Sequence, residues 1–259
     1  MTAEGRGADK SSDRPRSEKI AIFRLLAALV LPPMNLLGRY RVIDGHYLPR
    51  TGPVVVAPNH FSEIDPFVIG VAIWKLGRAP RYLGKASLFK VPVLGWLLRK
   101  SEQIPVERAG TRGVDPLAMA NQLVDRELVV VVYPEGTLTR DPDLWPMRGK
   151  TGAVRLALTA DVPLIPVAHW GTQKIMPRYG KGVSLFPRKK VDIRFGPPVD
   201  LSAYRGRPLD SRMLAEATDL LMVAITALVA EMRGETPPAE RWDPAQKGQA
   251  ETGRFEDRR

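Results

Sequence analysis

Apolar positions along this chain follow two rhythms. Val54-Val55-Val56-Ala57 and Leu128-Val129-Val130-Val131-Val132-Tyr133 are short, continuous and rich in β-branched residues, as expected of strands buried on both faces. Further strands are predicted over 81–84, 103–106, 162–167 and 190–195, with Pro105 marking an edge or an end. Between them, helical patterns cover 65–74, 93–99, 114–127 and 149–160. A last helix puts Leu214, Ala217, Leu221, Ala224, Ile225, Leu228 and Met232 on one stripe and stops at Gly234. Strands alternating with helices predict an α/β fold, a sheet flanked by helices, over residues 40–233.

The ends of the chain read differently. Residues 1–18 have too few large apolar side chains to offset the entropy of ordering, so a flexible tail is expected there, and a second flexible polar tail over 234–259. Residues 19–39 instead hold an apolar run from Ile20 to Leu31, then Pro32-Pro33, then Met34, Leu36 and Leu37. With Arg24 inside it and a proline pair near its middle, the run is short of the roughly 20 apolar residues that cross a bilayer. No small-residue cleavage site follows it. It predicts an N-terminal membrane-interface helical segment, either one helix lying in the interface or two short ones dipping into a leaflet. A core helix covering the sheet is the alternative.

Composition narrows the chemistry. The 259 residues are 44% hydrophobic, enough for one large domain, and carry a formal charge of +11. That excess calls for an anionic partner, either nucleic acid or an acidic membrane surface. No RNA-binding aromatic motif, zinc finger or helix-turn-helix pattern is visible, which favours a lipid or phosphorylated substrate over nucleic acid. The absence of cysteine removes thiolate nucleophiles, thiolate metal sites and disulfides. Three histidines without a His-Glu-x-x-His run predict no zinc site.

Three polar segments follow predicted strands, where α/β proteins build their sites. In Asn59-His60-Phe61-Ser62-Glu63-Ile64-Asp65, His60 can take and return a proton near neutrality, and Asp65 can hold its other ring nitrogen, although Asp65 before Pro66 could equally cap a helix. Ile104-Pro105-Val106-Glu107-Arg108 delivers an arginine whose planar fork suits a phosphate monoester, or one that is simply solvated. In Tyr133-Pro134-Glu135-Gly136-Thr137, the glycine permits close backbone approach to a ligand and Thr137 adds a hydroxyl, while a loop glutamate can also be a turn residue.

In this order, and with Val162-Pro163-Leu164-Ile165-Pro166-Val167 behind them, the segments resemble the glycerolipid acyltransferase family, whose best-known members acylate 1-acyl-glycerol-3-phosphate to phosphatidic acid. Lys85, Phe89, Pro92, Gly95 and Trp96 also look like the family's segment after the first motif. The resemblance covers about residues 20–230. It implies a mixed sheet flanked by helices (glycerol-3-phosphate acyltransferase-like), with no cofactor and acyl-CoA or acyl-carrier protein as co-substrate. It implies that His60 deprotonates the acceptor hydroxyl, Asp65 orients the imidazole, and the alkoxide attacks the thioester directly. Arg108 would hold the acceptor's phosphate, Glu135, Gly136 and Thr137 would shape its pocket, and Asn59 and Ser62 would support the loop. Amides of 162–166 or the Gly136 turn are candidates for the oxyanion site. The location implied is the cytoplasmic face of the membrane, peripheral or monotopic.

Departures from the pattern bear on the acceptor. The family commonly has arginine after the threonine, where this chain has Leu138, so a phosphate contact is missing or is supplied by Arg140, Arg148 or Lys150. The alternatives are another acceptor (glycerol-3-phosphate, another lyso-phospholipid or a glycolipid) or a non-catalytic lipid-binding protein. Met147-Arg148-Gly149-Lys150-Thr151 invites a nucleotide-binding loop, but the first glycine that motif needs is Leu144 here.

Overall fold

A computed structural model of the chain describes residues 20–106, 116–180 and 182–250. The tail expected over 1–18 and the pair Glu107 and Arg108 lie outside the described residues. The element order is α1 (Ala21–Leu37), β1 (Gly38–Ile43), β2 (Val54–Pro58), α2 (Asp65–Lys75), β3 (Pro80–Lys85), α3 (Pro92–Lys100), β4 (Ile104–Val106), α4 (Pro116–Asp125), β5 (Val129–Val131), α5 (Gly152–Ala160), β6 (Leu164–Trp170), β7 (Lys189–Phe195) and α6 (Ser211–Arg233). The strands form one sheet in the order β1-β7-β6-β2-β5-β3-β4. Every pairing is parallel except β6 with β7, so the sheet is mixed.

Both faces of the central strands are buried. Val55, Ala57, Val130, Val132 and Leu164 pack on one side with Leu123, Val154, Leu214 and Leu221 from α4, α5 and α6. Val54, Val56, Val129, Val131 and Ile165 pack on the other with Met34, Val68 and Ile69 from α1 and α2. Period-two alternation thus divides each strand between two cores, which is why the sequence shows a continuous apolar run and no polar face.

α1 is one continuous helix through Pro32 and Pro33, the first of the two alternatives, one helix rather than two short ones. The prolines remove the N–H groups that would reach the carbonyls of Ala28 and Leu29. All four of these residues lie on the exposed side, where water can satisfy those carbonyls. The helix is held from inside by Phe23 beneath the Arg81 guanidinium at 4.3 Å, by buried Met34, and by the Tyr40 hydroxyl donating to the Met34 carbonyl at 2.8 Å.

α6 starts at Asp210, whose carboxylate accepts the Met213 N–H, and ends at Gly234 with φ 67°. Among the described residues it is the one helix long and apolar enough to cross a membrane, but its apolar stripe is core, with Leu214, Ala217, Leu221 and Ile225 fully buried. Beyond it, the flexible tail expected from 234 gives way, as far as residue 250, to a segment folded back on the domain. The Trp242 carbonyl accepts the Arg148 N–H at 2.9 Å, Asp243 pairs with the Arg148 side chain at 3.1 Å, and Arg241 pairs with Asp219.

Candidate active site

β2, β5 and β6 run parallel and end side by side, so the segments that follow them converge at one end of the sheet. Pro58 pairs with Val167 and has no N–H of its own; the Asn59 N–H reaches the Val167 carbonyl at 3.3 Å, and beyond that the ladder is continued by the Asn59 side chain. Asn59 accepts the His169 N–H on Oδ1 at 2.9 Å and donates from Nδ2 to the His169 carbonyl at 3.3 Å. This clip fixes where the His60 loop leaves the sheet.

The loop then wraps around one carboxylate. Asp65 Oδ2 accepts the N–H groups of Phe61 and Ser62, each at 2.8 Å, and lies 3.0 Å from His60 Nδ1. A carboxylate accepts, so Nδ1 carries the proton and Nε2 keeps the lone pair. The His60 side chain is 17% exposed while Asp65 is sealed from solvent. Burial would raise the Asp65 pKa, but the imidazole groups of His169 and His60 and the Ser62 N–H outweigh it and hold the carboxyl below its ordinary value. Its place in the first turn of α2 adds the favourable end of the helix dipole. Ser62, fully buried, donates from Oγ to the Met176 carbonyl at 2.7 Å and ties the loop to the segment after β6.

Sequence reasoning missed His169 because the predicted strand stopped at Val167, three residues short of the end of β6. Its Nε2 is 3.0 Å from the Asn59 carbonyl, which can only accept, so the proton sits on Nε2. The same nitrogen is 3.5 Å from Asp65 Oδ2. Desolvation lowers its pKa against the pull of Asp65, so His169 is neutral near pH 7 and acts on the carboxylate as an N–H dipole rather than a charge. Tyr133 was also given no role; its ring lies against His60 with centroids 4.1 Å apart. Its hydroxyl is buried with no hydrogen-bond partner among the described residues.

Glu135 does not line an open pocket. It is 1% exposed, accepts the His60 N–H on Oε1 at 2.9 Å and the Met147 N–H on Oε2 at 3.1 Å. It therefore locks the backbone of the proposed base. Burial pushes its pKa up to about 8 despite those bonds and a contact from Thr139. Gly136, at φ 70°, makes the turn, and the Lys150 side chain crosses it: a Cβ there would sit 3.1 Å from Lys150 Cδ. Lys150 is thereby brought to the Gly136-Thr137 turn, its own N–H donating to the Pro134 carbonyl at 2.7 Å.

The other sites named from sequence are placed differently. Leu138 is buried, and so is Arg140 at 3% exposure, next to Thr139, whose N–H donates to the His60 carbonyl at 2.6 Å. Arg148 turns to the C-terminal segment and pairs with Asp243 on the wall of a cleft of about 680 Å³ beside α6, none of whose other lining residues belongs to the three motifs. Its side chain is thus committed away from His60. Lys85 ends β3, and its side chain lies outside the described residues, as does Arg108. The oxyanion role offered for 162–166 is not supported: Val162 N–H donates to the Ala157 carbonyl, and Leu164 to Pro166 lie inside the ladder opposite Val55 to Ala57, below the level of His60. The Gly136 N–H is spent on the Tyr133 carbonyl at 3.1 Å. Among the described residues no three His, Asp or Glu side chains form a metal-holding cluster.

Comparison with known proteins places the chain in a family. A family model described as Acyltransferase matches residues 39–170, just over half of the chain. A chloroplastic 1-acyl-sn-glycerol-3-phosphate acyltransferase of Brassica napus is 33% identical over 173 residues, 65% of this chain and 47% of that protein. A second, from Arabidopsis thaliana, is 30% identical over 51% of this chain and 35% of its own length, so the chain spans half or less of these two relatives. A Bacillus subtilis 1-acyl-sn-glycerol-3-phosphate acyltransferase is 29% identical over 70% of this chain and 84% of that protein. The crystal structure of the 1-acyl-sn-glycerophosphate acyltransferase from Thermotoga maritima shares the fold, with a TM-score of 0.60 at 21% identity over 88% of this chain and 86% of that one.

Proposed function

The chain belongs to the acyltransferase family, and from that premise we propose that it moves a fatty acyl group from an acyl thioester to the free hydroxyl of a lysophosphatidate-type acceptor, at the cytoplasmic face of a membrane. The observation that carries the reading is the His60–Asp65 contact at 3.0 Å, which leaves Nε2 as a basic nitrogen on a partly exposed ring. Nε2 takes the hydroxyl proton as the oxygen attacks the thioester carbonyl. The tetrahedral intermediate collapses with cleavage of the C–S bond, and the imidazolium returns the proton to the departing thiolate. One ester forms, one thioester is lost, and the proton moves from alcohol to thiol. No covalent acyl-enzyme and no cofactor takes part; acyl-CoA or acyl-carrier protein is the co-substrate.

The acceptor assignment draws its support from the names of the relatives, which are 1-acyl-sn-glycerol-3-phosphate acyltransferases. Within the chain, Arg108 is the phosphate ligand proposed from the motif, and Lys150, drawn across the Gly136 turn, is a second cation for the same group. Purified protein offered lysophosphatidate, glycerol-3-phosphate or other lyso-phospholipids, each with acyl-CoA or acyl-carrier protein, is expected to give phosphatidate from lysophosphatidate fastest, read by lipid mass spectrometry. Preference for any other acceptor would overturn the substrate assignment and leave the His60 chemistry standing.

A further inference from the structure

We propose that the turn over 183–186, ahead of β7, is a membrane-contact element that works beside α1 to seat the His60 end of the sheet on an anionic bilayer. The proposal rests on the reading that the acceptor is a lipid, but it concerns a surface outside the catalytic machinery. Strand direction places the turn. β7 is antiparallel to β6 with Trp170 opposite Asp192, so Lys190 and Lys189 continue past the end of β6, on the side where His60 follows β2. β1 pairs in parallel with β7, Gly38 opposite Lys189, which brings the C-terminal end of α1 to the same level. Arg188 joins the two by donating from Nη2 to the Gly38 carbonyl at 3.1 Å.

At this corner the large apolar side chains face outward. Phe186 is 71% exposed, Leu36 52% and Leu185 50%. The turn is tethered: the Ser184 N–H donates to the Ile175 carbonyl at 2.7 Å and Lys189 Nζ to the Phe186 carbonyl at 3.2 Å. Ile175 and Met176 form the segment that also receives the Ser62 hydroxyl, so the turn and the His60 loop are braced on one another. Exposed Arg188 and Lys190 follow the apolar tip in the chain, and exposed Arg39 pairs with Lys190 across β1 and β7, with Lys190 Nζ 3.4 Å from Asp192.

An apolar tip with cations at the neighbouring strand ends fits one occupant, a lipid surface with anionic headgroups: the side chains enter the acyl boundary while the cations meet phosphate. A second copy of the chain would set this cationic corner against another surface of a strongly basic protein, which like-charge repulsion disfavours.

The test is flotation of the full chain with phosphatidylcholine vesicles, with and without phosphatidylglycerol. With α1 intact, the double variant Leu185→Ser/Phe186→Ser is expected to lower the partition coefficient on anionic vesicles by about tenfold or more, given the transfer energies of two such side chains. Its thermal melt should match the parent's, because both positions are exposed. In a second arm, the emission gained by Phe186→Trp should be quenched by brominated acyl chains. Unchanged partition of the double variant, or an emission gain from Phe186→Trp that is the same on brominated as on unbrominated lipid, would overturn the proposal. So would self-association that the double variant abolishes while vesicle binding persists. Because partition is measured without turnover, His60→Ala should bind as the parent does, which separates failure of this inference from failure of the catalytic one.

Discussion

Replacing Asp65 by Asn isolates the charge at the centre of the site. Oδ2 makes all the hydrogen bonds of this carboxylate among the described residues, to His60, Phe61 and Ser62, while Oδ1 is buried without a partner. An asparagine in the same rotamer puts its carbonyl oxygen on the three donors and its amide where Oδ1 was, so the loop and the Nδ1–H tautomer survive. In the proposed reaction, what is lost is the negative charge facing the imidazolium that forms as His60 takes the acceptor's proton. Unit charges about 4 Å apart at an effective dielectric constant of about 20 interact by about 4 kcal/mol. The turnover number should therefore fall about 10³-fold with KM little changed. The buried, unpaired amide should also cost about 1–3 kcal/mol of stability. Thiol release from acyl-CoA with lysophosphatidate reads the first effect, at a temperature where near-ultraviolet circular dichroism shows the variant folded. A folded Asp65→Asn variant that retains most of the parent's turnover would refute the role given to this carboxylate.

Glu135 gives a pH signature. Its pKa is raised to about 8 in the fold, from roughly 4.3 in an unfolded chain, so its contribution is fully present below about pH 4 and is lost as pH rises to about 8, by about 5 kcal/mol in all. Glu135→Gln does not titrate, and the parent's advantage in urea midpoint over this variant should shrink steadily from pH 5 to pH 8; a difference independent of pH would contradict the burial argument. Gly171→Ala should lower the melting temperature far more than Gly52→Ala, since both have positive φ but only Gly171 would drive a Cβ to 2.2 Å from the Lys190 carbonyl oxygen. His169→Leu should lose about 1–3 kcal/mol relative to His169→Gln in denaturant titrations, because only glutamine can still donate to the buried Asn59 carbonyl.

Strands buried on two faces were the most legible parts of the sequence. Val54 to Ala57 and Val129 to Val131 could only be central, and the helix stripe through Leu214, Leu221 and Ile225 was read in register. Pro32-Pro33 left one helix or two open because local propensity counts the lost hydrogen bonds, and the single helix prevails with both prolines on its exposed side and Phe23 and Met34 buried. The antiparallel entry of β7 leaves no mark in its alternation, which would be the same in either direction. In the site, spacing offered His60 and Asp65 as a pair but fitted a capping Asp65 as well, and the 3.0 Å contact is seen only in the fold. His169 lies more than a hundred residues away, and only strand pairing brings it to Asn59. A signal existed: a histidine two residues past a fully apolar strand core must find a partner or be desolvated alone. Glu135 was read as facing substrate because sequence does not say which way a loop carboxylate turns, and here it turns inward to hold the His60 N–H.

His60 is the proposed base that activates the acceptor. The most direct test is the rate of thiol release from acyl-CoA with lysophosphatidate by His60→Ala against the parent, the fold of each checked by circular dichroism. Loss of a general base predicts a decrease of about 10²–10⁴-fold with lysophosphatidate still bound. A folded His60→Ala variant that turns over at the parent's rate would contradict it.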